Sequence, residues 1–366
     1  MQEQQSGRSG ARASGDFGGS SARSESQAPL LVTPPKNHAR RTRVAAAVVA
    51  LAVAPIAITA VYQRSDDYVA TGLPSPSLTS EAPSIGSEIP AGVLPQPGEV
   101  GFLGDASMLR VIDGPENAPE GTQFSTGVLV IVDANLTLDG VHLKGSIDYG
   151  QAGTLTIRNS IIEAVGGFHT VINGSNPRGI IDISDSTVTW PESVPTPQPP
   201  WGSGAINGDA RMIVVRCDIS GTPDGIQQGS GNSRFEENYI HDLAILGEPP
   251  NNTHNDGMQF YLGPNIQVLY NYIELDGYNG VNQNAAVFFG EGDGIAAPVI
   301  VGNYLSGGGY QLRLEAGVTD ATVIGNQFGP IAGGFSEASI SPGATVVVWA
   351  GNVTASGANL TQPGPG

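Results

Sequence analysis

Residues 253–274 read THNDGMQFYLGPNIQVLYNYIE, and their second half decides the fold. In IQVLYNYI (266–273) apolar and polar residues alternate, a turn residue interrupts, and an apolar strand resumes. The same figure returns in LTIRNSII, IDISDST, IVVRCDI, RFEENYI, VIVGNYL and ATVIGNQF. Aligning the polar residue of each gives one column: Asp139, Asn159, Asp185, Cys217, Asn238, Asn271, Asn303, Asn326 and Asn352. Successive members are 20 to 33 residues apart. A period a little above twenty residues, built of short strands and Gly-bounded turns, is the pattern of a solenoid whose coils cannot bury their apolar positions alone. The expected fold is all-β: a right-handed parallel β-helix of about 8–9 coils. Coils would stack about 4.8 Å apart, and parallel crossovers are right-handed. One Asn per coil reads as an internal ladder, its amide bonding the turns above and below. Cys217 stands in that column as an inert buried thiol.

A second column of short strands follows the first: HTVING (169–174), GAING (204–208), DGIQQG (224–229), DGMQFYLG (256–263), AAVFFG (285–290) and YQLRLEAG (310–317). Matching Val171, Ile206, Ile226, Met258, Val287 and Leu312 places Asp224 and Asp256 at equivalent points of successive coils. Coil stacking sets their backbones about 4.8 Å apart. Retaining glycosidases hold two carboxyl groups about 5–5.5 Å apart, so the pair suits an acid and a nucleophile. The same oxygens, with Asn255, suit Ca²⁺. A repeated Asp-Gly turn, with Asp capping the bend, explains them without any chemistry. All three readings stand on the sequence.

Other candidates surround the pair. Gln227, Gln259 and Arg313 should face outward from one sheet with Phe288 between the last two, and Glu315 should pair with Arg313. His254, in the insertion ILGEPPNNTHN, is a candidate acid or base beside Asp256. Asp224, Asp256, His254 and Arg313 form the catalytic set. Gln227, Gln259, Phe260, Tyr261, Phe288, Tyr310, Trp190 and Trp201 form the sugar-binding set, with the two Trp flanking the insertion WPESVPTPQPPW (190–201) as a stacking wall. Tyr239, Tyr272 and Tyr304 each follow a column residue and should line up as a structural aromatic stack.

DGIQQG, THNDGMQ, ENYIHDL and NYLSGGGYQLRLEAG resemble bacterial exported right-handed parallel β-helix proteins of the pectate-lyase-like superfamily, over roughly residues 125–355. That resemblance implies carbohydrate-directed activity, since such proteins include polysaccharide lyases and glycoside hydrolases, besides members with no established reaction. The lyases generally use Arg or Lys against an acidic polymer, often with Ca²⁺. Here Lys144 is the lone lysine of the body, HNDG only partly matches the polygalacturonase N-T-D-G, no Gly-His-Gly follows, and RLE replaces R-I-K. No catalytic role transfers from either group.

Composition sets the limits. Gly and Pro together make 78 of 366 residues, which argues against a helical protein. Residues 1–43 carry seven basic and three acidic groups, whereas the remainder carries 9 and 31. So acidic a body repels nucleic acid and anionic lipid. With one cysteine there is no internal disulfide.

Five regions follow: a disordered cytoplasmic N-terminus (1–43), a transmembrane helix (44–62), a Pro/Ser-rich linker (63–99), the β-helix (100–356) and a flexible tail (357–366). VAAAVVALAVAPIAITAVY (44–62) has no charge and follows Arg40, Arg41 and Arg43. This predicts a single-pass anchor with its N-terminus in the cytoplasm and the body outside. A cleaved signal peptide is the rival reading, disfavoured by the long leader and the lack of an A-x-A site. The expectation is thus a membrane-anchored monomer that binds or processes a carbohydrate polymer, with a glycoside hydrolase ahead of a Ca²⁺-dependent lyase. A non-catalytic surface or adhesion scaffold is the alternative from another class.

Overall fold

A computed structural model describes residues 92–166, 170–191, 204–248, 251–280, 284–290 and 294–365. The expected disordered segment, transmembrane helix and most of the linker lie outside these residues, as does Trp201. Among the described residues, no helix is long and apolar enough to cross a membrane.

The described strands wind into a parallel β-helix with three faces, one of nine strands and two of ten. Each coil visits them in turn. In one coil, Arg234–Glu236 lies in the nine-stranded sheet, Tyr239–His241 in a second sheet and Met258–Phe260 in a third; Gln267–Leu269 then reopens the cycle. We call the second the tyrosine sheet and the third the glutamine sheet. Nine strands in the first face agree with eight to nine coils.

Period-2 burial creates the core. One inward row on the nine-stranded sheet runs Leu138, Ile157, Ile183, Val214, Phe235, Val268, Ile300, Val323 and Trp349, each in register with the next. A row on the glutamine sheet runs Ile147, Ile172, Ile206, Ile226, Met258, Val287, Leu312 and Ala338. Ile172, not Val171, occupies that row, although both are buried. Each buried aliphatic side chain contributes about 1.5–3 kcal/mol relative to exposure, so the stacked rows are the main stabilising term.

The polar column is a true ladder from Asn238 onward. Backbone N–H groups of Asn238, Asn271, Asn303 and Asn326 donate to the Oδ1 of the next Asn, ending at Asn352, over 2.8–3.1 Å. Each Nδ2 also reaches back to a strand carbonyl, as Asn271 does to Phe235 at 3.0 Å. Upstream, the ladder runs one residue later than the sequence alignment placed it. Ser160 and Ser186 take the slots, accepting the N–H of Val141 and of Ser160 at 3.1 Å each. Asn159 and Asp185 instead make the left-handed bend just before, at φ 46° and 49°, a conformation that Asn and Asp tolerate better than most residues. Asp139 ends the strand before Gly140, one position earlier still.

Cys217 completes the ladder, fully buried, its N–H on Asn238 Oδ1 at 2.9 Å. Burial pushes its thiol up to about 12, and a protonated, inaccessible thiol is a poor nucleophile. An impermeant thiol reagent at pH 8 is therefore expected to leave native protein unlabelled and to label it only as it unfolds. Stoichiometric labelling under native conditions would contradict the ladder position.

Both ends are closed. A hairpin of Thr122–Ser125 with Val128–Ile131 begins the glutamine sheet. At the other end Trp349 Nε1 donates to the Leu360 carbonyl at 2.8 Å, and Leu360 packs on the core. Residues 357–360, expected in a free tail, thus help to cap the last coil. Residues 92–102, mostly within the expected linker, strap the outside of the coils. Gly101 N–H bonds Arg216 O at 3.0 Å, and Val93 N–H bonds Glu237 Oε1 at 3.2 Å.

Candidate functional site

The glutamine sheet carries the candidate residues in the expected register. Gln227, Gln259, Phe288 and Arg313 form one outward row across four coils. Asp224 and Asp256 align one coil apart at the start of this face, because the pairs two residues onward, Ile226 and Met258, are in register.

The two carboxylates are committed to the stack. Asp224 Oδ1 accepts the Asp256 N–H at 2.6 Å, and Asp256 Oδ1 accepts the Ala285 N–H at 2.9 Å. Each Asp does for this corner what each ladder Asn does for the other. The second oxygens are also engaged: Gln227 Nε2 donates to Asp224 Oδ2 at 2.8 Å, and Asn284 Nδ2 to Asp256 Oδ2 at 3.2 Å. Asp224 is 4% exposed and Asp256 fully buried. Gly225 and Gly257 follow because a Cβ there would lie 2.4 Å from the next coil's backbone, at Gly257 O and Ala286 O. The Asp-Gly repeat is thus a close-packed coil junction.

Asn255 is likewise fully buried. Its Nδ2 donates to the carbonyls of Pro223 and Ala244 at 2.8 and 2.7 Å, and its Oδ1 accepts the Thr253 hydroxyl at 2.7 Å. It staples the end of the insertion to the coil beneath. Asp224, Asn255 and Asp256 therefore turn their oxygens to protein donors, and among the described residues no group of three acidic, His or Cys side chains is arranged to hold a metal ion. His254 is exposed and, among the described residues, makes no hydrogen bond or ion pair.

Beyond the carboxylates the sheet is rich in amides and aromatics. Gln227 Nε2 also meets Gln259 Oε1 at 3.1 Å, and the Tyr261 hydroxyl donates to the same oxygen at 2.9 Å. Gln259 Nε2 is buried without a hydrogen-bond partner among the described residues; such orphaned donors are uncommon in native interiors. Phe288 lies beneath the Arg313 guanidinium, 4.8 Å from ring centroid to Cζ. Arg313 Nη1 donates to Asn284 Oδ1 at 2.8 Å, and Nη2 pairs with Glu315 Oε1 at 2.5 Å. Ser341 Oγ donates to Glu315 Oε2 at 2.8 Å. The Arg313 and Glu315 side chains remain 32% and 26% exposed, an accessible polar pair on this face.

The model of a right-handed β-helix region family matches residues 126–328. The chain belongs to this family. No curated protein and no solved structure matches the chain significantly.

Within the right-handed β-helix, five expected sugar contacts prove to be buried: Gln227, Gln259 and Phe288 stand in the outward row yet are only 5%, 2% and 2% exposed, and Phe260 and Trp190 belong to the core. Phe260 points into the core, its ring stacked 4.7 Å from Phe289 and 5.3 Å from Phe235. Strand parity puts it inward, since its neighbour Gln259 faces out. Trp190, expected as one post of a wall, is 2% exposed in the core cluster, its large apolar ring filling the interior. Tyr261 and Tyr310 are partly exposed.

Asn284 escaped notice in the sequence although it bridges Asp256 and Arg313. Its signal is its alignment with Asn255, one residue before the corner position in each coil, with Asn284 N–H on Asn255 O at 3.3 Å. The tyrosine column forms as expected: Tyr239, Tyr272 and Tyr304 are in register, with centroids 5.5 and 4.4 Å apart. His241, which reads as a turn residue, stacks on Tyr239 and bonds Asp218 at 3.2 Å and Asp242 at 2.7 Å.

Proposed function

We propose that this right-handed β-helix binds a carbohydrate polymer along the glutamine sheet and that recognition, not bond cleavage, is the task of the face. One observation carries this reading: both carboxylates that a two-acid mechanism would use are buried and accept backbone N–H groups of the neighbouring coil. A general acid must deliver a proton to a leaving oxygen within hydrogen-bond reach. A carboxylate already saturated by N–H donors below the surface is poorly placed to do so. The accessible groups Arg313, Glu315, Asn284 and Tyr310 are those that sugar hydroxyls and ring faces use. A lyase is less well supported, because Arg313, its candidate base, is ion-paired to Glu315. We further propose, on the apolar stretch 44–62 and its arginine flank, that the β-helix is displayed outside a membrane.

The test uses the full-length chain in detergent, run through native gels containing hydroxyethyl cellulose, soluble galactan or polygalacturonate. Retardation by at least one polymer is expected. Arg313→Ala should weaken it about 10- to 100-fold, from the loss of roughly 1.5–3 kcal/mol of charge-assisted bonding. Asp256→Asn should leave the retardation of its folded fraction intact. Release of reducing ends by the native chain, abolished in Asp256→Asn, would replace this reading with the hydrolase one.

A further inference from the structure

Next to the polar pair lies a group of aromatic rings that the two strand columns do not anticipate. Phe335 is 64% exposed, yet its ring touches two others, Tyr278 at 5.0 Å and Tyr310 at 5.2 Å, tilted 51° and 37° to them. The loop that carries it is fixed from both sides. Tyr278 N–H donates to Ala332 O at 2.9 Å, and Phe335 N–H to Gly309 O at 2.7 Å. Gly334 permits the approach, since a Cβ there would meet Gly308 O at 2.6 Å. An exposed phenylalanine would ordinarily be free to rotate; this one is held with much of its surface to solvent. Ile331, 43% exposed on the same loop, extends the apolar surface.

One strand and one residue tie the rings to the polar pair. Tyr310 and Arg313 share the strand Tyr310–Leu314, and the carbonyl of Asn284 accepts the N–H of Tyr310 at 3.0 Å while its side chain holds Arg313. An ordered aromatic surface beside fixed donors and acceptors matches a pyranose ring, which has an apolar C–H face and a rim of hydroxyls. Charge decides which pyranose. Glu315 neutralises Arg313 at 2.5 Å, and the chain beyond residue 43 carries 31 acidic groups against 9 basic. No unpaired cation of this cluster awaits a carboxylate, and the surrounding field repels one.

From these contacts we infer that Tyr278, Tyr310 and Phe335 form a stacking platform for an uncharged pyranose unit, which makes the preferred polymer neutral rather than uronic. This rests on the carbohydrate-binding reading and names its substrate class. Preorganisation by the clamped loop means that little ordering cost is left for binding.

The platform is tested by affinity electrophoresis of the full-length chain on hydroxyethyl cellulose, galactan and polygalacturonate. The variants are Phe335→Ala, Phe335→Trp and Val347→Ala, the last an exposed apolar residue of another sheet. Because Phe335 is largely exposed, its variants should unfold at the native midpoint. The expected result is binding to a neutral polymer but not to polygalacturonate, weakened at least tenfold by Phe335→Ala, preserved by Phe335→Trp and unchanged by Val347→Ala. Neutral binding that Phe335→Ala leaves intact overturns the platform while the carbohydrate reading stands. Polygalacturonate bound as tightly as the neutral polymers overturns the assigned class. Failure to bind any polymer overturns both.

Discussion

Replacing Asn271 by Ala is expected to lower the unfolding free energy by about 3 kcal/mol, within a range of roughly 2–5. The side chain accepts from the Asn238 backbone and amide at 3.1 and 2.9 Å, and donates to Phe235 O and Asn303 Oδ1 at 3.0 Å each. Its removal leaves the Asn238 N–H without its acceptor and takes the amide donor from the Phe235 carbonyl, in a place that water does not reach. Neither can recover its bond by a small shift, because Phe235 lies in a strand and Asn238 in the tight bend after it, both fixed by coils above and below. Asn271→Asp should cost more, because it sets a carboxylate oxygen against two acceptor oxygens and buries a charge. Gln327→Ala, an exposed change in the same turn two coils on, should stay within about 0.5 kcal/mol. Urea denaturation measures all three, and a midpoint shift at constant slope identifies a change in stability rather than in exposed surface. An Asn271→Ala protein as stable as the Gln327→Ala one would show that the ladder does not hold the coils.

The second large effect is expected at Asp256. Asp256→Ala should destabilise by about 3 kcal/mol, since the buried Ala285 N–H and Asn284 amide both lose an acceptor. Asp256→Asn retains one acceptor oxygen for Ala285 and sets its new amide against that of Asn284, so about 1 kcal/mol is expected. A catalytic group predicts the reverse pattern. Active-site carboxylates are commonly held at a cost to stability, and their neutralisation often leaves the fold unharmed or firmer. The ordering of Ala and Asn variants in denaturant therefore distinguishes a coil-stacking role from a chemical one.

The fold was legible because its determinants are local and repeated. A coil needs inward residues at period two, which survive in every copy, and one small polar residue in the ladder slot, an amide from Asn238 onward. The ladder slipped by one residue in the early coils because two physical demands sit side by side there. The left-handed bend and the hydrogen-bonding slot each favour small polar residues, so Asn159–Ser160 and Asp185–Ser186 offer two candidates for one column. Where Gly302 and Gly325 take the bend, the slot is unambiguous.

The candidate site was legible as an arrangement and not as a function. Period-two parity set Gln227, Gln259, Phe288 and Arg313 in one row opposite the core, with Phe260 inside, but only Arg313 of that row is appreciably exposed. Burial of Asp224 and Asp256 could not be read from the residues, because an Asp-Gly pair has the same pattern whether its carboxylate faces solvent or the next coil. Asn284 and Phe335 were missed for a different reason. Each acts through contacts across coils, and Phe335 lies in a loop whose position no strand repeat specifies.

The central claim is that the two carboxylates hold the stack. Amide hydrogen exchange at Asp256 and Ala285 tests it most directly, because their N–H groups are the donors those carboxylates accept. Both amides should exchange as slowly as those of neighbouring core strands such as Met258–Phe260, and in Asp256→Ala the protection of Ala285 should fall at least tenfold more than that of Val287. Exchange of Asp256 and Ala285 in the native chain as fast as that of the exposed residues 331–333 would contradict the claim and return the carboxylates to solvent and to chemistry.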